Sequence, residues 1–187
     1  RTAGQAMRAI DSAKKPFFIT AHFGDPHAPY KDYDRFTADP GSLAGRYAGE
    51  VRYSDYWIGR LLSHLRSKNK VFENTIIVLF SDHGENLGDH GVTGGHHGVS
   101  VYDEVVRVPL LIAAPGVTPT RVDSPVSVVD IAPTLLELVG AEPLPDADGR
   151  SLAGYLLGET LPPTYTISEL YDFGQRLRSI VDQRYKL

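Results

Sequence analysis

Apolar positions along the chain follow helical spacing in some segments and continuous runs in others. Segment 43–65 places its predicted buried face at spacings of three and four, which is typical of an amphipathic helix. That face comprises Tyr47, Val51, Ser54, Ile58, Leu61, Leu62 and Leu65. Further helices are predicted over 2–13, from an N-cap at Asp130 to a stop at Gly140, and over 151–158.

Three continuous apolar runs predict buried strands. They are PFFITAHF at 16–23, TIIVLF at 75–80 and VPLLIAA at 108–114. Runs without alternation are typical of strands covered on both faces. Two segments, TYTISEL and RLRSIVD, with a turn near DFGQ, predict an antiparallel pair. We therefore predict an α/β fold with a mainly parallel mixed sheet, helices on both faces and a C-terminal antiparallel edge.

Composition narrows the classes of partner. The 187 residues carry a net charge of −4 spread along the chain, so no basic patch favours nucleic acid. No apolar run approaches the roughly 20 residues that span a bilayer, and no signal-peptide pattern opens the sequence. Because the chain has no Cys, it has no disulfides and no thiol nucleophile. Localisation stays open, with cytoplasmic and periplasmic locations both compatible.

Asp82 and His83 lie one residue beyond the strand at 75–80. Ligands of open α/β sheets bind at the carboxyl ends of strands, and Gly84 permits the turn that lets both side chains address one ion. A carboxylate beside an imidazole suits a divalent cation such as Zn, Mn or Mg, and Ca less well. Glu85 either orients a neighbouring group or begins the next turn as a solvated acid, and we favour the solvated acid.

Histidines in two loops are further candidates. His96 and His97 lie between glycines, where an imidazole can donate to an anion or protonate a leaving oxygen, although an exposed flexible loop is the alternative. We expect His90 to lie in a solvated turn. In the segment DPHAPY, the two prolines stiffen a loop that presents Asp25 and His27 at a strand exit.

Six ordered blocks together resemble the sulfatase family of the alkaline phosphatase superfamily. They are PFFITAHFGDPHAPY, GEVRYSDYWIGRLLSHL, NTIIVLFSDHGENLGDHG, HHGVSVYDEVVRVPLLIAAPG, VSVVDIAPTLLELVG and DGRSLAGYLLGE. The resemblance implies an alkaline-phosphatase-like fold. It implies that Asp82 and His83, the latter an Asn in many members, are metal ligands. It also implies that His27 and His97 contact the sulfate or its leaving oxygen, the second being a Lys in many relatives.

The resemblance also indicates which parts of the family site lie elsewhere. The family's formylglycine nucleophile, formed in a C/S-x-P-x-R motif, and two further metal-binding aspartates belong upstream of the matched blocks. The segment VTPTR has Val117 where the nucleophile belongs and follows the third strand, so we interpret it as a chance match. With Arg1 and no Met at its start, the chain is expected to be a partial catalytic domain, 1–187, that holds about half of the active site and is inactive alone.

The expected function is metal-dependent hydrolysis of a sulfuric ester. The resemblance implies one divalent cation, Ca by family with Mg, Mn or Zn as alternatives, and a sulfate ester of a small molecule or glycan as substrate. The competing hypotheses are a phosphodiester or phosphonate hydrolase, a phosphoethanolamine transferase, and a non-catalytic relative that retains the fold. A C-x-P-x-R or S-x-P-x-R motif in the upstream gene sequence would favour the enzymes over the non-catalytic relative.

Overall fold

The computed structural model describes residues 1–91, 96–172 and 174–187. These residues divide into two compact units, the first formed by Arg1–Thr75 and Asn86–His96, the second by Ile76–Glu85 and His97–Leu187. The glycine-rich residues 92–95 and residue 173 of the expected DFGQ turn lie outside the described residues. Within the described ranges, no helix has the length and apolar character needed to cross a bilayer.

Two helices form the framework of the first unit. They are α1, Thr2–Ser12, and α2, Leu43–Arg66, and they pack against each other. Ser42 caps α2 by accepting a hydrogen bond from Gly45 N at 3.0 Å. The Asp11 carboxylate of α1 pairs with Lys68, just beyond α2, and lies 3.0 Å from Nε2 of His64. Both helices predicted from the sequence are confirmed.

The buried face of α2 follows the prediction except that Val51 is exposed and Glu50 is buried. Glu50 is fully buried, whereas Val51, a member of the predicted face, is 42% exposed. Ser54 is buried as predicted. Glu50 is buried because backbone N–H groups of loop residues 27–31 donate to its carboxylate. A valine side chain could not accept these hydrogen bonds.

The segment 16–23 is not a strand, although its composition predicted one. It forms no strand pairing within the described residues, and Phe18 is 82% exposed. An apolar run becomes a strand only when a neighbouring strand accepts and donates its backbone hydrogen bonds. The prediction of a buried strand at this position is therefore wrong for the described structure.

Two short strands lie near the start of the second unit. They are β1, Ile77–Phe80, and β2, Leu110–Ala113, which pair antiparallel with Leu79 opposite Leu111. Between them the described helix is α3, Asp103–Val106, which is a single turn. Parallel neighbours require a crossover that is usually a longer helix. The predicted mainly parallel sheet is not observed, since both ladders among the described residues are antiparallel.

The faces of this strand pair also differ from the prediction of burial on both sides. Leu79 is 39% exposed and its partner Leu111 is 57% exposed, while Val78 and Ile112 on the other face are partly covered. Phe80, at the end of β1, is 47% exposed. An apolar sequence alone reports which side chains prefer burial and not how many faces are covered.

The remainder of the second unit contains α4, Ile131–Leu138, α5, Ala153–Leu156, and a hairpin. The buried Asp130 carboxylate accepts hydrogen bonds from Ser127 N at 2.8 Å and Arg150 N at 2.9 Å. The hairpin joins β3, Thr166–Asp172, to β4, Gln175–Val181, in antiparallel register. The predicted C-terminal antiparallel pair is confirmed.

Candidate active site

Asp82 and His83 lie immediately beyond β1, where the sequence predicted a metal site. The Asp82 side chain is 68% exposed and that of His83 is 37% exposed. The backbone N–H of His83 donates to Oδ1 of Asp82 at 3.0 Å. The second carboxylate oxygen, Oδ2, lies 3.9 Å from Nε2 of His83. The two side chains therefore approach each other beyond the strand end.

The separation of these two atoms fits a shared divalent ion. Oxygen ligands lie up to about 2.6 Å from such ions and imidazole nitrogens about 2.1 Å, so two ligand atoms of one ion lie within about 4.7 Å of each other. The observed 3.9 Å satisfies this limit. Two ligands do not complete a coordination sphere, and the described residues contain no group of three or more His, Cys, Asp or Glu placed to hold a metal.

The ring of His83 is oriented for metal binding through Nε2. Nδ1 lies 2.7 Å from the carbonyl oxygen of Gly84, which can only accept, so Nδ1 carries the proton. In the neutral ring Nε2 then has the lone pair. A hydrogen bond from one ring nitrogen to a backbone carbonyl commonly fixes the ligating tautomer of a metal-binding histidine.

Position 84 requires glycine because of close packing and not because of its backbone conformation. The φ angle of Gly84 is not positive, so other residues could adopt this backbone. Its N–H donates to Val105 O at 2.6 Å, and a Cβ at this position would lie 2.1 Å from Glu104 O. From the sequence we assigned Gly84 to a turn, whereas the structure requires glycine here because of this close contact. The contact with α3 fixes the chain directly after His83.

His97 is held on two sides in the same unit. Its ring stacks on His83 with centroids 3.9 Å apart and an interplanar angle of 27°. Its Nδ1 lies 3.3 Å from Oε1 of Glu85, whose side chain is only 4% exposed. Glu85 is therefore not the solvated acid that we expected. Its N–H donates to Glu104 O at 2.9 Å, so α3 positions this carboxylate as well.

The other loop histidines have different surroundings. His90 is exposed in a turn with φ 54°, which agrees with the predicted solvated turn. His96 is exposed, and its carbonyl accepts a hydrogen bond from Asn86 N at 3.1 Å. Asn86 is fully buried and its side-chain oxygen accepts from Gly88 N at 2.9 Å. Asn86 therefore anchors this loop, a role that was not predicted from the sequence.

His27 lies in the first unit, on the loop that follows Asp25. The residue is exposed, and Nδ1 lies 2.7 Å from Ala28 O, so the proton is again on Nδ1. Asp25 accepts a hydrogen bond from the Tyr33 hydroxyl at 3.0 Å. Burial, followed by this hydrogen bond to the Asp25 carboxylate, raises the pKa of Tyr33 to about 12. Asp82, His83 and His97 belong to the second unit.

Two buried acids contact candidate residues, and of these only Glu85 was considered as an orienting group from the sequence. Glu50 contacts the backbone of His27, and Glu85 contacts the ring of His97. Glu50 and Ser54 are four residues apart, on one face of a helix that is otherwise partly apolar. Glu50 was not placed on the predicted face, but it lies three residues after Tyr47 and four before Ser54, which belong to that face. A carboxylate beside a buried face requires partners, and this spacing is the signal that could have identified it.

Comparison with known proteins identifies the family of the chain. The model of the sulfatase family matches residues 1–141, most of the chain. The chain belongs to the sulfatase family. As a sulfatase-family chain, it is related to hydrolases, and its structural neighbours have the sulfatase-like α/β fold.

Individual relatives of this sulfatase-family chain differ in their named activities. A choline-sulfatase of Rhizobium meliloti (strain 1021) is 26% identical over 192 residues, covering 79% of this chain and 37% of the relative. A rat steryl-sulfatase (Rattus norvegicus) is 35% identical over 157 residues, covering 76% of this chain and 27% of the relative. Among solved structures, a phosphonate monoester hydrolase from Silicibacter pomeroyi has TM-score 0.69 and 33% identity, covering 77% of this chain and 32% of that one. The chain spans about a third of the length of the curated relatives it matches.

Proposed function

We propose that this chain carries part of the active site of a metal-dependent sulfatase that hydrolyses sulfate esters of a small molecule or a glycan. The observation that carries the proposal is the cluster beyond β1, in which Asp82 and His83 can share one ion and His97 stacks on His83. Family membership supports the reaction class. The names of the choline and steryl relatives support small organic sulfates as substrates.

Asp82 and His83 are the residues of this chain proposed to hold the divalent cation, with calcium favoured by the family resemblance and Mg, Mn or Zn as alternatives. When bound, the cation supplies positive charge that offsets the negative charge developing on the transferring group. The acceptor atoms that this chain offers are Oδ2 of Asp82 and Nε2 of His83. Further ligands are proposed to come from the two aspartates that the family places upstream.

His97 is proposed to donate a proton or a hydrogen bond to the ester or its leaving oxygen. Glu85 engages Nδ1, so Nε2 is the ring atom assigned to this donation. Stacking on His83 restricts rotation of the ring. The Glu85 carboxylate is buried, which keeps the pair Glu85–His97 in one geometry before a substrate arrives.

His27 is proposed to steady an ester oxygen through Nε2, since Nδ1 donates to Ala28 O. The nucleophile is proposed to be a formylglycine hydrate outside these residues, because the 187 residues contain neither Cys nor an S-x-P-x-R motif. The proposed domain is therefore a partial catalytic domain, 1–187. Expressed alone, it should turn over no sulfate ester above background, even with added Ca, Mg, Mn or Zn.

A phosphonate or phosphodiester hydrolase is the second candidate. The specific observation that favours it is the 33% identity to the phosphonate monoester hydrolase structure. Tetrahedral phosphorus and sulfur esters make similar demands on a cation and on imidazole donors. The candidates therefore differ in substrate preference and not in the residues that act.

A paired assay distinguishes these two functions. The purified full-length protein would be given para-nitrophenyl sulfate and the para-nitrophenyl ester of phenylphosphonate, which share a leaving group. A higher kcat/KM for the sulfate supports the sulfatase, and the reverse order supports the phosphonate hydrolase. Activity on neither ester, with metal bound, would favour a non-catalytic relative.

A further inference from the structure

Glu50 is the most completely buried acidic side chain among the described residues, with 0% exposure on helix α2. A glutamate is seldom buried to this degree unless its charge is paired or hydrogen-bonded, because desolvation of a carboxylate is unfavourable. Its partners therefore indicate what it does. They are backbone groups of the loop that carries His27.

Each oxygen of the Glu50 carboxylate accepts one backbone N–H of that loop. Oε2 accepts from His27 at 3.1 Å, and Oε1 accepts from Lys31 at 2.8 Å. Hydrogen bonds to an ionised acceptor are stronger than those between neutral groups. One side chain thus fastens both ends of residues 27–31 to the helix.

Ser54 extends the same contact surface by one helical turn. Its hydroxyl donates to the carbonyl oxygen of Asp25 at 2.7 Å. Residues four apart lie on the same face of a helix, so Glu50 and Ser54 bind the loop backbone from the same face of α2. The loop backbone is consequently held at Asp25, His27 and Lys31.

The His27 ring is itself hydrogen-bonded to the backbone segment that Glu50 holds. Nδ1 of His27 lies 2.7 Å from Ala28 O, within the segment whose two ends Glu50 secures. The ring is exposed although its supporting carboxylate is fully buried. An exposed imidazole whose backbone is held by a buried carboxylate has the arrangement expected of a side chain that is positioned to contact a ligand.

A buried carboxylate can also serve the fold alone, and Asp130 provides the comparison. It accepts from Ser127 N and Arg150 N, so it resembles Glu50 in burial and in the number of backbone partners. Neither Ser127 nor Arg150 is a candidate site residue. Asp130 is therefore a matched control with a structural role.

We propose that Glu50 is a positioning residue that acts through His27, fixing the loop so that the His27 imidazole is presented to the ester. This inference rests on the proposed function, in which His27 acts on the substrate. A displacement of about 1 Å at a reacting group can lower turnover about 100-fold, so loss of the Glu50 contacts should lower the turnover of the ester.

The test is a double-mutant cycle in the full-length protein with para-nitrophenyl sulfate as the probe. Glu50→Gln keeps the shape but places an amide NH₂ against one of the two backbone N–H groups. We expect kcat to fall about 10- to 100-fold while KM changes little. In the His27→Ala background, Glu50→Gln should cause no further loss, because the group it positions is absent.

Two further variants separate positioning from folding. Asp130→Asn should lower the stability of the protein, and any effect on kcat should be the same with and without His27→Ala. Ser54→Ala removes one loop contact without leaving a buried charge, and it should lower kcat in the same coupled manner by a smaller factor. If Glu50→Gln does not fold, the cycle with Ser54→Ala decides.

The possible outcomes are distinct. Suppose His27→Ala lowers kcat strongly, but Glu50→Gln lowers kcat by the same factor in the wild-type protein and in His27→Ala. That result overturns the positioning role of Glu50 and leaves the proposed function intact. No effect of His27→Ala on kcat removes the proposed role of His27 and the inference with it. Amide hydrogen exchange that accelerates at residues 27–31 in Glu50→Gln, together with coupled kinetics, supports the inference.

Discussion

Nδ1 of His97 lies 3.3 Å from a carboxylate oxygen of Glu85 that is almost completely shielded from solvent. The same ring stacks on His83. A flexible loop histidine would have neither restraint. The geometry therefore contradicts the alternative of an exposed, flexible loop that its neighbouring glycines suggested, and the functional role of His97 stays a prediction.

The first prediction compares two histidines. His97→Ala should lower kcat about 100- to 1000-fold, because removal of one donor to transition-state charge typically has that effect. His90→Asn should change kcat little, since His90 is exposed and Asn tolerates its φ of 54°. Steady-state assays on para-nitrophenyl sulfate provide the comparison. Small, equal effects of the two substitutions would remove His97 from the reacting group.

The second prediction concerns the metal. Asp82→Asn should greatly lower the content of divalent cation in the purified full-length protein and leave its thermal unfolding nearly unchanged, because the side chain is mostly exposed. Asp123→Asn is the control, since Asp123 forms an exposed ion pair with Arg121. Elemental analysis of both proteins measures the outcome. Retention of the full metal content by Asp82→Asn would exclude it as a ligand.

The third prediction tests the packing of Gly84. Gly84→Ala should destabilise the protein by about 1–3 kcal/mol, since its Cβ would overlap Glu104 O and backbone must shift. Gly59 lies in helix α2, and a Cβ added there has no neighbouring atom within 4 Å. Gly59→Ala should therefore stabilise the protein by about 0.5–1 kcal/mol. Urea unfolding reports both free energies. Equal stabilities for the two variants would contradict the close approach.

The fourth prediction concerns alkaline pH. The folded pKa of Tyr33 is raised to about 12 from 10.0, so the native state retains this proton at pH values where the unfolded chain loses it. The resulting stability is fully present below pH 10 and is lost as pH rises towards 12.

Tyr33→Phe should therefore weaken the decline in the free energy of unfolding between pH 10 and pH 12. The two proteins differ only at this hydroxyl, so the difference between the two profiles isolates Tyr33. Urea unfolding across this pH range supplies the measurement. Parallel profiles would show that the Tyr33 phenol has an ordinary pKa.

Helices were the most predictable part of the fold. The spacing in 43–65 and the stop at Gly140 are local signals, and α2 and α4 follow them. The direction of strand pairing was not predictable, because it depends on how the chain returns between Phe80 and Leu110. An apolar run also cannot report whether a partner strand exists, as segment 16–23 demonstrates.

Asp82, His83 and His97 were predicted as site residues from their types, their position after a strand and the family resemblance, and the structure brings them together in one unit. Their roles as ligands and donor stay predictions. The supporting contacts were not predictable, because Glu50 meets the His27 loop across 23 residues of sequence and Glu85 meets His97 across 12. Such contacts depend on tertiary packing and leave no local pattern.

The exposed apolar pair on β1 and β2 has a practical consequence for handling the 187 residues. Leu79 and Leu111 are cross-strand neighbours on one solvent-exposed face, and Phe80, which follows Leu79 in the strand, exposes further apolar area on the opposite face. Excluded salts such as sulfate strengthen association between apolar surfaces. The polypeptide should accordingly have limited solubility in ammonium sulfate, and purification at low protein concentration without such salts will favour a monodisperse sample.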